Sequence, residues 1–314
     1  MGSCDDSEIE FELIEQLTLM NSTGILINSM YSPLPAQGQG VSIQGYEGSF
    51  HQMAARQFFG SDIEVIPCAT FREVVKIAAN KKESKGGVMA IENSIAGSIL
   101  PNYTLLQKSN LKIVGEVYLP IKQHLLVNPG VKLEDIKEVH SHHMAIQQCM
   151  EYLDKYNWKL VETDDTALSA KHIQQHKSKH IAGIAGKLAA ELYNLNIIVP
   201  NIHTQKSNYT RFLILQRSAD SKPIEGANKA TINFITNHAK GALAKVLTLI
   251  AGNGINLSKL QSMPIAGTNF TYSFHADLEF ENKSQLDRAL SDIEKLTEAI
   301  NIFGIYKNGN NQPS

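Results

Sequence analysis

Cysteine is scarce. The 314 residues hold three, Cys4, Cys68 and Cys149, odd in number, far apart and with no Cys-x-x-Cys pair. That scarcity argues against a disulfide framework, a cysteine zinc site or a dithiol redox motif, and makes a reducing cytoplasm the simplest location. An excess of positive charge is also missing, since 29 Lys and Arg stand against 31 Asp and Glu. Composition therefore gives no footprint for nucleic acid or an anionic membrane, and any anion site has to be local. No run of about 18 apolar residues occurs, which excludes a membrane-spanning helix. The first 40 residues lack a basic start, an apolar core and a small-residue cleavage site; Asp5, Asp6, Glu8 and Glu10 make the beginning acidic, so no secretory leader is expected. Neither Gly-x-Gly-x-x-Gly nor a P-loop lysine is present near Gly45 and Gly48, which sets a nucleotide site aside.

With 43% hydrophobic and 19% charged residues, the remainder is an ordinary globular composition. The length calls for two or three domains. Residues 1–40 read as an appendage, with a short helix at 11–20 and a Pro/Gly-rich linker at 32–40. A strand then runs from Val41 to Gly45, followed by a glycine turn and a helix opened by Ser49 and Gln52 at capping-box spacing. Such a turn leaves backbone N–H groups free at the carboxyl end of a strand, where an anion can be held. Thr70 caps a second helix through Ala79, and Gly86 to Ile91 is a buried strand ending in Glu92-Asn93-Ser94. Polar groups beyond a buried strand stand where ligands sit in open α/β sheets, although Asn93 or Ser94 would serve equally as a helix cap.

The pattern continues with strands at 111–117, 123–127, 136–140, 181–185 and 197–199. Ser141 opens a helix with Cys149 and Leu153 inward, Asp164-Asp165-Thr166 precedes an Ala-rich helix, and Asn194 suits the left-handed position after a helix end. Two α/β lobes facing a cleft are the economical arrangement. His140, His142 and His143 raise a metal reading, but no convincing acidic or cysteine partner completes the three protein ligands that a catalytic zinc needs, so no metal site is assigned.

Asn208-Tyr209-Thr210-Arg211-Phe212 places a hydroxyl donor beside a permanent cation and runs into apolar Leu213-Ile214-Leu215. A guanidinium fork matches a carboxylate, and a neighbouring hydroxyl can reach the same ligand. Arg211 pairing with a surface carboxylate, with Thr210 as strand filler, explains the five residues as well. Beyond a charged connector at 217–229, the pattern becomes strand (230–236), helix from Gly241-Ala242-Leu243, strand (255–260), alternating strand through Phe274 and Leu278, helix with Leu286, Leu290 and Ile293 inward, and strand (302–306). The order βαββαβ is the ferredoxin-like split unit.

Five ordered motifs resemble prephenate dehydratase joined to a C-terminal ACT regulatory domain. They are Gly45-Tyr46-Glu47-Gly48-Ser49-Phe50; Ile91-Glu92-Asn93-Ser94; Ser141-His142 with Gln148-Cys149; Asn208 to Phe212; and Gly241-Ala242-Leu243 with Ile255-Asn256-Leu257. The resemblance implies an α/β, two-lobed periplasmic-binding-protein-like catalytic part at 41–217 (lobe 1 about 41–118 and 200–217, lobe 2 about 119–199) and a ferredoxin-like ACT domain at 228–308. It implies decarboxylating dehydration of prephenate, without metal or redox cofactor, in a homodimer or homotetramer that binds L-phenylalanine between ACT domains. Catalytic roles would fall to Thr210, Glu92, Asn93, Ser141 and Gln148, with Glu92 as a proton source if burial raises its pKa. Substrate contacts would come from Arg211, Ser49, Ser94, Asn208, Phe212 and Thr166, with Arg211 on the retained carboxylate. Allosteric contacts would come from Gly241, Ala242, Leu243, Asn256, Leu257, Gln261 and Ser262. Two motifs depart from the family: Ser141-His142-His143-Met144 replaces Ser-His-Pro-Gln, and Gln261-Ser262-Met263-Pro264 replaces Glu-Ser-Arg-Pro. Arogenate dehydratase and a non-catalytic small-molecule sensor remain the alternatives.

Overall fold

The computed structural model describes residues 39–237, 239–265, 267–268 and 271–310. The expected helix at 11–20 and all but the last two residues of the linker at 32–40 lie outside them. Three sheets organise the described chain. The first has the order β2 (Val65–Cys68), β1 (Val41–Gln44), β3 (Gly86–Asn93), β11 (Tyr209–Arg217) and β5 (Leu111–Pro120), with β4 (Gly97–Ser98) paired to β3. The second has the order β10 (Asn196–Val199), β6 (His124–Val127), β9 (Ile181–Ala185), β7 (Glu138–Ser141) and β8 (Lys159–Glu162). Helices α1 (Phe50–Phe59), α2 (Phe71–Ala79) and α3 (Leu100–Gln107) belong to the first lobe; α4 (His143–Gln148), α5 (Met150–Leu153), α6 (Thr166–Gln175) and α7 (Lys187–Leu192) belong to the second.

The chain passes between the lobes twice, from β5 to β6 and from β10 back to β11. The two crossings are hydrogen-bonded to each other, Ile121 N donating to Asn208 O at 2.8 Å and Ile202 N to Gln123 O at 2.9 Å. On its return, β11 inserts antiparallel between β3 and β5, so the first lobe is assembled from both ends of this region. Phe212 and Ile214 then fill the apolar layer with Val41, Ile43, Val88 and Val117. Burying a side chain of the size of Phe212, 1% exposed, contributes about 1.5–3 kcal/mol.

The third sheet has the order β13 (Asn256–Pro264), β14 (Tyr272–Glu279), β12 (Lys229–Thr236) and β15 (Thr297–Tyr306), backed by α8 (Ala242–Gly252) and α9 (Lys283–Glu294). This is the βαββαβ unit that the alternation and helical spacing predict. It docks on the first lobe through Met263, Phe303 and Tyr306, which join Tyr103, Leu106 and Leu111 in one apolar cluster. The approach is close enough that a Cβ on Gly304 would stand 2.1 Å from the Ile113 carbonyl oxygen.

Local chemistry explains most element starts. Ser49 caps α1 by accepting from Gln52 N at 3.4 Å, but the Gln52 side chain reaches back to Gly48 N at 2.7 Å rather than to the cap residue itself. Thr70 caps α2 by accepting from Glu73 N at 3.2 Å. Asn194 sits at φ 49°, as its place after a helix implies. One expected cap is corrected: Ser141 ends β7, and His142 caps α4 through Met144 N at 3.3 Å.

Candidate active site

A cleft of about 260 Å³ lies between the two lobes. A larger hollow of about 540 Å³ is confined to the second lobe around Asn128, Gln174 and Lys177 and gathers none of the predicted site residues. The interlobe cleft is lined by Ser49, Asn93, Thr210 and Phe212 from the first lobe and by Gln148 and Thr166 from the second.

The centre is the pair Asn93–Thr210, set directly opposite each other where β3 ends and β11 begins. The two hydrogens of Asn93 Nδ2 are shared among three acceptors, Asn208 Oδ1 at 2.7 Å, Thr210 Oγ1 at 3.0 Å and Tyr209 O at 3.2 Å. Asn93 Oδ1 accepts from Ile95 N at 3.0 Å and Ala96 N at 2.9 Å. A carbonyl on one side and two backbone amides on the other fix which way the amide points. Because the Thr210 oxygen already accepts from Asn93, its own hydrogen is left to donate into the cleft.

An apolar wall stands beside this pair. His51 meets Phe212 edge-on at 4.9 Å and Phe71 at 5.5 Å, and its Nε2 accepts from Ala90 N at 3.4 Å. Burial pushes its pKa down to about 3, so the ring is neutral. Among the described residues, neither Lys nor Arg lines the cleft. The start of α1, capped by Ser49, brings partial positive charge to the first-lobe wall, whereas at the start of α6 the Asp165 carboxyl already takes Ala167 N and Leu168 N. The β1–α1 loop reaches the second lobe only because of its glycines. Gly48 is at φ 89° with an added Cβ 3.0 Å from Ala189 Cα, and a Cβ on Gly45 would stand 2.7 Å from Asp165 Oδ2.

Several expected site residues lie elsewhere. Arg211 does not hold a substrate carboxylate: its Nε donates to Glu116 at 2.7 Å, Nη1 to Asp277 at 2.5 Å and Nη2 to the Tyr306 hydroxyl at 3.1 Å. Successive side chains on a strand point to opposite faces, so placing Thr210 in the cleft turns Arg211 toward the third sheet. Glu92, opposite Arg211 in register, follows it and pairs with Lys259, so it is not a proton source in the cleft. Ser141 is wholly buried and donates to Ile184 O at 2.6 Å. Ser94 clips the return loop, accepting from Tyr209 N at 2.9 Å, and Asn208 supports Asn93 from behind the cleft.

The structure adds Gln44, His51, Gln123, Met144, Asp164 and Asp165 to the lining. The Asp pair was visible in sequence as a helix start, but its placement in the cleft depends on how the second sheet is assembled. His140 pairs with Glu138 at 2.9 Å, and the rings of His142 and His143 lie 4.3 Å apart.

A family model described as prephenate dehydratase matches residues 41–220. Over 310 residues the chain is 30% identical to a bifunctional chorismate mutase/prephenate dehydratase of Enterobacter agglomerans, covering 97% of this chain and 79% of that protein. Among solved structures, prephenate dehydratase from Arthrobacter aurescens in complex with L-Phe superposes with a TM-score of 0.76 at 27% identity, covering 88% of this chain and 92% of that one. GqqA, described as a novel type of quorum quenching acylase, superposes with a TM-score of 0.78 at 30% identity, covering 86% of this chain and 98% of that one.

Proposed function

The chain belongs to the prephenate dehydratase family, and from that premise we propose that its interlobe cleft converts prephenate to phenylpyruvate, water and carbon dioxide. Losing the ring carboxylate and the ring hydroxyl together makes the ring aromatic, so the protein has to hold, orient and protonate rather than supply an electron acceptor. The observation that carries this reading is the Asn93–Thr210 pair: a locked amide fixes a hydroxyl whose hydrogen is left to meet the departing oxygen. Phe212, His51 and Phe71 supply the apolar wall for the ring. The start of α1, capped by Ser49, faces the retained carboxylate, and Gln148 adds an amide side chain from the second lobe.

A second reading, arogenate dehydration, is favoured by Asp164, whose carboxylate lines the cleft and would meet the ammonium that arogenate carries in place of a keto group. Incubating the protein separately with prephenate and arogenate, and following phenylpyruvate and phenylalanine, decides between them. Formation of neither product defeats both readings.

The third sheet supports a regulatory reading. In β13, an edge strand, Asn256, Ser258, Leu260 and Ser262 are exposed in alternation, and Gly241 at φ 76° makes the turn into α8. L-Phenylalanine would bind near Gly241, Ala242 and Leu243 of one copy and Asn256, Leu257, Gln261 and Ser262 of another, in a homodimer or homotetramer. Met263, where the family carries Arg, packs into the cluster joining this sheet to the first lobe, which accounts for its apolar character. Among the described residues no helix is long and apolar enough to cross a membrane. The cytoplasmic reading rests on buried, free Cys68 and Cys149, whose thiols burial pushes up to about 12.

A further inference from the structure

The departing hydroxyl needs a proton, and the groups beside it are poor sources. A threonine hydroxyl is too weak an acid at neutral pH, and Thr210 serves better to orient. His51 is neutral down to about pH 3, and burial also lowers the pKa of His142, whose Nδ1 accepts from Met144 N. Glu92 faces Lys259 on the other side of the sheet. Asp165 is different. It lines the cleft at the start of α6, and its Oδ1 accepts from Ala167 N at 2.8 Å and Leu168 N at 2.9 Å, which fixes the carboxyl plane. Its Oδ2 lies against Gly45, in the loop of the opposite lobe, where an added Cβ would stand 2.7 Å away.

We propose that Asp165 is the catalytic acid, carrying on Oδ2 the proton that converts the leaving hydroxyl to water. The inference rests on the proposed dehydratase reading and names the acid of that same site. In the step, the bond between ring carbon and carboxylate breaks and its electron pair enters the ring. The ring C–O bond breaks with its pair on oxygen, and that oxygen takes the Asp165 proton. Carbon dioxide, water and the phenylpyruvate anion form from the prephenate dianion and one proton, and solvent reprotonates Asp165.

The surroundings suit a carboxyl that keeps its proton. Burial, opposed by the two amides and assisted by the neighbouring anion Asp164, pushes its pKa up to about 6. Just past α7, the Tyr193 hydroxyl donates to Glu47 O at 2.8 Å in the β1–α1 loop, and burial, with Glu47 and Asp165, pushes its own pKa up. A bound dianion shifts it further in the same direction.

Asn and Ser both cap helices well, so Asp165→Asn and Asp165→Ser remove the acid while keeping the start of α6. With prephenate, kcat of both variants is expected to fall by about 100-fold or more with KM little changed. The wild-type decline of kcat/KM as pH rises beyond about 6, and of kcat at higher pH, should be missing from both. Carboxyl 13C NMR titration, which needs no turnover, should show one midpoint near 6 that Asp165→Asn removes. Wild-type turnover combined with variants within threefold of it, or a titration midpoint below about 4.5, overturns the inference while leaving the dehydratase reading intact. No turnover of prephenate or arogenate by the wild-type protein sinks that reading and this role together.

Discussion

Thr210 and Arg211 are consecutive in β11 and serve opposite faces of the sheet. Thr210 Oγ1 accepts from Asn93 in the cleft at 3.0 Å, while Arg211 reaches Asp277 of the third sheet at 2.5 Å. The strand that carries the Thr210 hydroxyl is thereby held from behind by the ferredoxin-like unit. Asp277 is itself held by Thr231 Oγ1 at 2.6 Å, and Lys229 donates to Glu116 at 2.9 Å, so every charge in this buried cluster has a partner.

Thr210→Val keeps the branched shape and deletes the hydroxyl. Turnover of prephenate should fall by roughly 100-fold or more while the thermal midpoint moves little, because Asn93 retains its bonds to Tyr209 O and Asn208. Steady-state kinetics beside a thermal melt checks this; near-normal kcat removes Thr210 from the chemistry.

Arg211→Lys cannot reproduce a fork that reaches Glu116, Asp277 and Tyr306 at once. Breaking a buried ionic network leaves uncompensated charge and costs about 3 kcal/mol, so denaturant unfolding should show a large loss of stability. Any kinetic effect should fall on kcat, through the set of β11, with KM for prephenate nearly unchanged. A rise in KM of tenfold or more with stability intact would return Arg211 to the substrate.

His275 gives a pH dependence. It is buried, stacked on Phe303 at 5.3 Å and edge-on to Tyr103 at 5.0 Å, and neither ring nitrogen finds a hydrogen-bond partner. Desolvation lowers its pKa from 6.5 to about 4, so the unfolded chain binds the proton first. Its contribution is intact above pH 6.5 and is lost as pH falls from there toward 4. His275→Phe should flatten that part of the stability curve and add about 1–3 kcal/mol by removing unpaired polar atoms. Urea unfolding at pH 7, 5.5 and 4.5 reads both effects, and parallel curves for the two proteins would show that His275 does not titrate there.

Calorimetry with L-phenylalanine tests the regulatory reading. Saturable heat and a raised thermal midpoint are expected, and Gly241→Val, which places a branched residue at φ 76°, should abolish both. No heat and no thermal shift at saturating ligand would remove the effector site.

Most of the scaffold was legible because local rules set it. Alternation gave β14, helical spacing gave α8 and α9, and side-chain caps gave the starts of α1 and α2. Among the elements that escaped, three did so for clear physical reasons. In β2, Pro67 interrupts the run and is tolerated because β2 is the sheet's edge. In β8, Lys159, Leu160 and Glu162 are exposed, so no buried face leaves a pattern, and α3 begins with Leu100-Pro101 and has no side-chain cap.

The sequence by itself determined the element order, the alternation behind two α/β lobes and the βαββαβ unit, because periodicity, caps and strand ends are properties of neighbouring residues, whereas the meeting of Asn93 with Thr210, 117 positions apart, waited for β11 to pair with β3. Only the tertiary structure decided which partner each charged group meets. Arg211 was an ion-pair fork in either reading, but its acids come from 95 and 66 positions away, at Glu116 and Asp277. Two sheets must already be packed together before their carboxylates can claim the guanidinium, whereas Asp165 enters the cleft because the opposing loop offers the hydrogen of Gly45 where any side chain would collide.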